Sequence, residues 1–400
     1  TRRSSDLELV KSVIYDQQSA PNPHFREVIA RPDETMKTKG EDVASNRSIR
    51  RRDSLRLIPG DRLFAAAYSN FWGASLLTPT EKNDFRIRGP NTVVSTTSRT
   101  GAYAAVGQNG GMVQVLKLNE GTSVELLSTF AAHGGHSIAL AFSDDQTLLA
   151  TGGSEGSVAV WDIQNAEQPR LLRRLKCHSL NVFTIAFSPD QRRIAAVSSD
   201  GQIIVSDIQP TPSRSLIPSD QQAIDVEFSP DGDSLAISSH DCGTQLWHLN
   251  PDFLVKHFPE SSGICTFTTD GRQLVFAQGR DVVIWDMEQG SIVERWTPDI
   301  PDATIARGST ARGAVYWFSE TDISPGGRLV ALGCSAPMAY SQGGLQRVVV
   351  IDIATKRQIF AYDSGGRHQS VEFSPDGKLF AISLRSLDSP QTRIYRTEDW

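Results

Sequence analysis

The side chains that could do chemistry are few and scattered. Of eight histidines, His133 and His136 are the only close pair. Two histidines three residues apart could begin a metal site, which needs further converging ligands. A fold-stabilising histidine beside a loop histidine fits the same spacing. Asp144-Asp145 sets two carboxylates side by side, a pattern that serves acid–base catalysis, but it falls at a turn of the repeat described below. Cys177, Cys242, Cys265 and Cys334 are widely spaced without a Cys-x-x-Cys pair. They read as free thiols of a reducing compartment. No His-Glu-x-x-His, no phosphate loop of Gly-x-x-x-x-Gly-Lys-Ser/Thr type and no Gly-x-Ser-x-Gly elbow occurs. The expectation is a chain that is not an enzyme, with no catalytic residues, no metal site and no cofactor.

Arg47, Arg50, Arg51, Arg52 and Arg56 crowd around Ser54. Arg51-Arg52-Asp53-Ser54 resembles a target of basophilic kinases, which makes Ser54 a candidate phosphosite. As a patch for nucleic acid or acidic lipid the cluster is weak, because no aromatics interleave it. Asn46-Arg47-Ser48 is a glycosylation triplet only on a secretory route.

Positioning any of these groups requires a core, and 39% apolar residues over 400 supply one. The net charge is −6, which argues against a general nucleic-acid binder. Residues 1–61 hold twelve Lys/Arg against ten Asp/Glu, a basic head, and the remaining 339 hold 28 against 36, an acidic body. No apolar run approaches the ~18 residues of a membrane span, and no secretory leader is visible. The expected location is the cytoplasm, with the nucleus as the alternative. The chain opens on Thr1 rather than Met, as a processed or excised piece would.

The organisation comes from a repeat. Phe187-Ser188-Pro189-Asp190 recurs at Phe228-Ser229-Pro230-Asp231-Gly232 and Phe373-Ser374-Pro375-Asp376-Gly377. Looser copies begin at Phe142, Phe267 and Ile323. A second anchor follows each: Trp161-Asp162 and Trp285-Asp286 are clear, while Ser206-Asp207, Trp247-His248, Ile351-Asp352 and Tyr395-Arg396 are eroded. The anchors lie 19 apart in the Phe142, Phe187 and Phe228 units. The same 19-residue ruler finds units at Thr97 and Leu57. Within a unit, Ile185-Ala186-Phe187, residues 194–197 and Ile203-Ile204-Val205 are short strands separated by Ser-Pro-Asp and Ser-Asp-Gly turns. A fourth strand follows, as at residues 171–175. Each unit is therefore a four-stranded antiparallel sheet of about 40–45 residues.

With these motifs the chain resembles the WD40-repeat β-propeller family over about residues 54–400. The resemblance implies an all-β fold of four-stranded antiparallel blades, eight by the count of units or, alternatively, seven. Residues 1–53, Pro-containing and charged, form an N-terminal extension that is partly disordered or supplies a closing strand. In the eight-bladed arrangement a segment upstream of residue 54 completes the last blade; in the seven-bladed one residues 84–88 do so. The family also implies a hydrogen-bonded set within a blade: a His before the first strand, a hydroxyl on the second, an acid in the next turn and the Trp. Counting back nine from the Phe anchor gives His133 with Thr151, Glu155 and Trp161, and His178 with Asp200. In the His178 unit Ala196 and Ser206 stand where the hydroxyl and the Trp belong. Cullin-ligase receptors of the family carry an Arg shortly after Trp-Asp; Trp161-Asp162 runs into Ile163-Gln164-Asn165 and Trp285-Asp286 into Met287-Glu288-Gln289, which counts against that role.

Function in such a fold sits on its loops. His136, Asn181 and Phe183 fall on the face that carries the loops entering each first strand, with Phe183 either a core plug or an interface anchor. The longest unit, the seventh, adds Trp317, Met338 and Tyr340, types enriched at interface cores. The expected role is a noncatalytic scaffold for proteins or peptides, with neither nucleic acid nor a membrane span expected. The alternative is a ligand- or signal-sensing domain of a larger signalling enzyme or ATPase.

Overall fold

The computed structural model describes residues 54–58, 62–66, 74–77, 82–85, 92–209, 214–218, 223–239, 243–249, 252–259, 261, 265–278, 281–298, 317–335, 346–364, 367–385 and 390–397. The N-terminal extension, Met338 and Tyr340 lie outside them. The described residues form eight antiparallel sheets, seven of four strands and one of three. In chain order, sheets 1 to 8 fall within residues 54–85, 92–131, 137–176, 182–218, 223–258, 266–296, 317–364 and 367–396. Among the described residues the 3-10 turn Asn109–Gly111 is the one regular element besides the strands. No described helix is long and apolar enough to cross a membrane.

Each sheet runs in simple order, every strand beside its sequence neighbour. Successive sheets pack face to face, and their apolar clusters each draw on two neighbours. Ala195, Val197 and Val205 of sheet 4 meet Val226, Phe228 and Leu235 of sheet 5. The first strand of sheet 1, Ser54–Ile58, lies against the first strand of sheet 8, Arg367–Phe373, so the order returns on itself. Asp84 and Phe85, the first two residues of the segment that the seven-bladed arrangement would use for closure, belong to the strand Lys82–Phe85, which pairs instead with Ala74–Leu77 in sheet 1. Sheet 8 shows three strands, ending with Pro390–Arg396.

The Phe-Ser-Pro-Asp repeat builds the hairpin between the first and second strands. The buried Ser143 hydroxyl donates to Asp145 Oδ1 at 2.7 Å and accepts the Leu148 N–H at 2.9 Å. Asp145 Oδ1 also accepts the Thr147 N–H at 2.9 Å. Ser188, Ser229, Thr268 and Ser374 repeat the pattern with Asp190, Asp231, Asp270 and Asp376. Asp145 is thereby committed to its turn. Its burial works against the charge, but the Thr147 and Ser143 donors outweigh it and hold the carboxyl below the usual range. The residue after the Asp is left-handed in every copy: Gly232, Gly271 and Gly377, but Gln146 at φ 64° and Gln191 at φ 58°. Glycine is the residue that takes this conformation without strain.

These turns also touch one another around the ring. A Cβ on Gly271 would lie 3.3 Å from Pro230 of the preceding sheet, and one on Gly377 would lie 3.5 Å from Pro325. Arg193 donates to the Gly232 carbonyl at 2.6 Å, and Thr269 to the Pro325 carbonyl at 2.7 Å. The Thr100 hydroxyl bonds Gln146 Oε1 at 2.5 Å.

Candidate functional site

On the opposite face, the loop entering sheet 3 carries His133. Its backbone N–H donates to the Gly111 carbonyl of sheet 2 at 3.1 Å. The ring turns inward and is buried. His133 Nδ1 meets Glu155 Oε1 at 2.7 Å, and Nε2 meets Thr151 Oγ1 at 2.9 Å. Trp161 Nε1 donates to the same hydroxyl at 3.1 Å. Thr151 and Trp161 reach one point because Thr151 pairs with Ala159, two residues before the Trp. A Cβ on Gly153 would lie 2.4 Å from both the Glu155 carboxylate and His133 Nδ1, so the close approach requires glycine there. Burial lowers the His133 pKa despite the Glu155 partner, which keeps the ring neutral at pH 7. Both ring nitrogens are occupied, so this histidine has no lone pair to offer a metal.

His136, three residues on, is exposed, and its Nδ1 accepts the Gly110 N–H at 3.3 Å. Among the described residues no three His, Cys, Asp or Glu converge in a metal-holding arrangement. Burial pushes the Cys177 thiol up to about 11 and the Cys265 thiol to about 12. Neither is a thiolate at neutral pH, so neither is poised as a nucleophile.

Sheet 4 holds an incomplete version of the set. His178 Nδ1 lies 3.2 Å from Asp200 Oδ1, and the Ser179 N–H donates to Asp200 Oδ2 at 2.8 Å. Ala196 takes the place of Thr151, and Ser206 that of Trp161. His178 Nε2 is left with the Ala196 backbone nearby and no well-formed hydrogen bond. Sheet 6 abandons polarity. Phe258 stands nine before Phe267, as His133 stands nine before Phe142. Phe276 takes the ladder place of Thr151, and Trp285 remains. The Phe258 ring lies 4.5 Å from that of Phe276 and 5.1 Å from that of Trp285. Rings replace hydrogen bonds, and Trp285 Nε1 is left without a partner. The nine-residue count would have found Phe258 in the sequence.

The WD domain, G-beta repeat model matches residues 124–162 and 169–207. Among solved structures, the β-propeller domain of Myceliophteria thermophila Cps50 (Swd1) is similar over 78% of this chain and 98% of that one, with a TM-score of 0.54 at 15% identity. The chain is a β-propeller that carries WD40 repeats at these two positions. No curated protein matches it.

The remaining candidate residues of this propeller are dispersed. Asn181 is half-buried, its carbonyl accepting the Ser199 N–H at 2.9 Å. Phe183 is partly buried and packs against the core between blades 4 and 5. Trp317 is the first residue of the strand Trp317–Ile323, opposite Ser335. Ser54 opens the first strand of blade 1, opposite Ala66; a kinase, which reads extended substrate, would have to detach that strand end.

The residue missed on this face is Leu180, 50% exposed. Its loop is fixed by the Ser179 N–H on Asp200, by Ser198 Oγ donating to the Leu180 carbonyl at 3.1 Å and by the Ser199 N–H on Asn181. The other exposed large apolar side chains among the described residues, such as Leu171, Phe253 and Ile292, lie on outer strands. In the sequence, Leu180 is an ordinary loop leucine with nothing to mark it.

Proposed function

We propose that this propeller is a noncatalytic scaffold that docks another protein or peptide on the loop face of blades 3 and 4. Leu180 carries the reading. An apolar side chain held out to solvent by a loop whose backbone is already hydrogen-bonded loses little entropy on binding. The half-buried Asn181 follows it in the same loop, and the exposed His136 lies on the loop entering blade 3. The net charge of −6 favours a protein or peptide over nucleic acid. The free thiols Cys177 and Cys265 suit the cytoplasm or nucleus.

The test compares Leu180→Asp with Leu171→Asp, a leucine of comparable exposure on an outer strand. Each variant, at matched melting temperature, is used for quantitative affinity capture, and binding constants are then measured for the recovered partners. Leu180→Asp is expected to weaken at least one partner by about 2 kcal/mol, with Leu171→Asp near wild type. Identical partner affinities for both variants would place the docking surface elsewhere.

A further inference from the structure

The first strand of every blade has a ladder neighbour on one side only. Its inward-pointing N–H groups form an edge that must be satisfied by something other than a strand. At two boundaries the satisfying group is a carboxyl from the preceding blade. Asp322 Oδ2 accepts the Phe373 N–H at 2.6 Å, joining blade 7 to blade 8. Glu227 accepts the Phe267 N–H and bonds the Thr266 hydroxyl, joining blade 5 to blade 6.

The two share one register. Each acid stands immediately before its blade's anchor residue, Phe228 or Ile323, and reaches the N–H of the next blade's anchor. Each is also paired with an alanine on its second strand, Glu227 with Ala236 and Asp322 with Ala331. A third acid shares their position before an anchor and their alanine partner. Glu372 precedes the anchor Phe373 and pairs with Ala381.

The blade that follows Glu372 is blade 1, against which its strand already lies. There the anchor position belongs to Leu57. Ile58 and Phe64 pack into the core shared with blade 2, and strand alternation then gives Leu57 the phase of the other anchors. We infer that Glu372 is the clasp that closes the ring, its carboxylate accepting the backbone N–H of Leu57 across the boundary between blades 8 and 1.

The experiment follows amide hydrogen exchange in the full chain for wild type, Glu372→Ala, Glu372→Gln and Asp322→Ala. Glu372→Ala is expected to speed exchange over residues 55–58 by about tenfold or more, with blades 3 and 4 unchanged. Glu372→Gln keeps a carbonyl acceptor and is expected to stay within about threefold of wild type. Asp322→Ala is expected to expose Phe373 and leave residues 55–58 protected. Unchanged exchange over 55–58 in Glu372→Ala overturns the assignment. If Glu372→Ala does not fold, Glu372→Gln decides: near-wild-type protection supports the acceptor role, and loss of the fold in both overturns it.

Discussion

Replacing Glu227 by Gln should make the protein more stable, and only at neutral and alkaline pH. Burial, reinforced by the nearby Asp225 and Asp322 charges, raises the Glu227 carboxyl from 4.5 to about 8 against the opposing donors of Phe267 and Thr266. The residue retains some exposed surface while its carboxyl is enclosed by protein, so solvent screens part of the effect. The folded state therefore holds this proton after the unfolded chain has released it. Stability from this group is whole below about pH 4.5 and is lost as pH rises towards 8. The ceiling on that loss is about 5 kcal/mol; allowing for screening, about 2–3 kcal/mol is expected. Glu227→Gln cannot ionise and keeps an acceptor for the Phe267 N–H. Melting midpoints of wild type and variant, measured from pH 4 to 9, should coincide at the acid end and diverge above pH 5 with the variant higher. A variant that is less stable at pH 8, or a difference independent of pH, would show that the boundary between blades 5 and 6 uses the charged form.

Trp161→Ala should destabilise by about 3–5 kcal/mol in denaturant titration, through lost packing and the cavity left, whereas Ser206→Ala should stay within about 1 kcal/mol; equal costs would contradict the assigned packing. Ala196→Thr offers His178 Nε2 the hydroxyl that blade 3 provides, and should raise stability by about 1 kcal/mol; a loss would mean that the space is already filled. We propose residues 1–53 as a separate extension that completes the edge of Pro390–Arg396, so its deletion should cause aggregation or a clear drop in melting temperature. A soluble, equally stable truncated chain would remove that role.

The architecture was legible because its signals are local. The Ser and Asp of Phe-Ser-Pro-Asp act within one hairpin, so their spacing survives while the rest of each blade drifts. His133 and Glu155 could be located because the count from Phe142 is rigid. The replacements in blade 6 were less visible, since Phe258 and Phe276 carry no polar signature and only their register with His133 and Thr151 gives them away. Leu180 and the acids at the blade boundaries were not legible in advance. Their meaning depends on what lies across a boundary about 40–50 residues away in sequence, such as Glu227 and Phe267. A single strand pattern records burial and alternation but not the neighbour.

The contacting Ser-Pro-Asp hairpins also limit what their face can communicate. From blade to blade they offer almost the same outline at regular angular steps, Ser188, Ser229 and Ser374 holding the same bonds. A partner that read only this outline would find several orientations of similar energy and could not tell one rotation of the disc from the next. Such a surface is a poor address. Distinguishing information requires asymmetry, and the loop face has it: a complete polar set in blade 3, a broken one in blade 4 and aromatic rings in blade 6. Degeneracy that costs nothing inside a hairpin thus breaks the rotational symmetry of the ring, and a partner that must dock in one orientation has reason to prefer the worn face over the regular one.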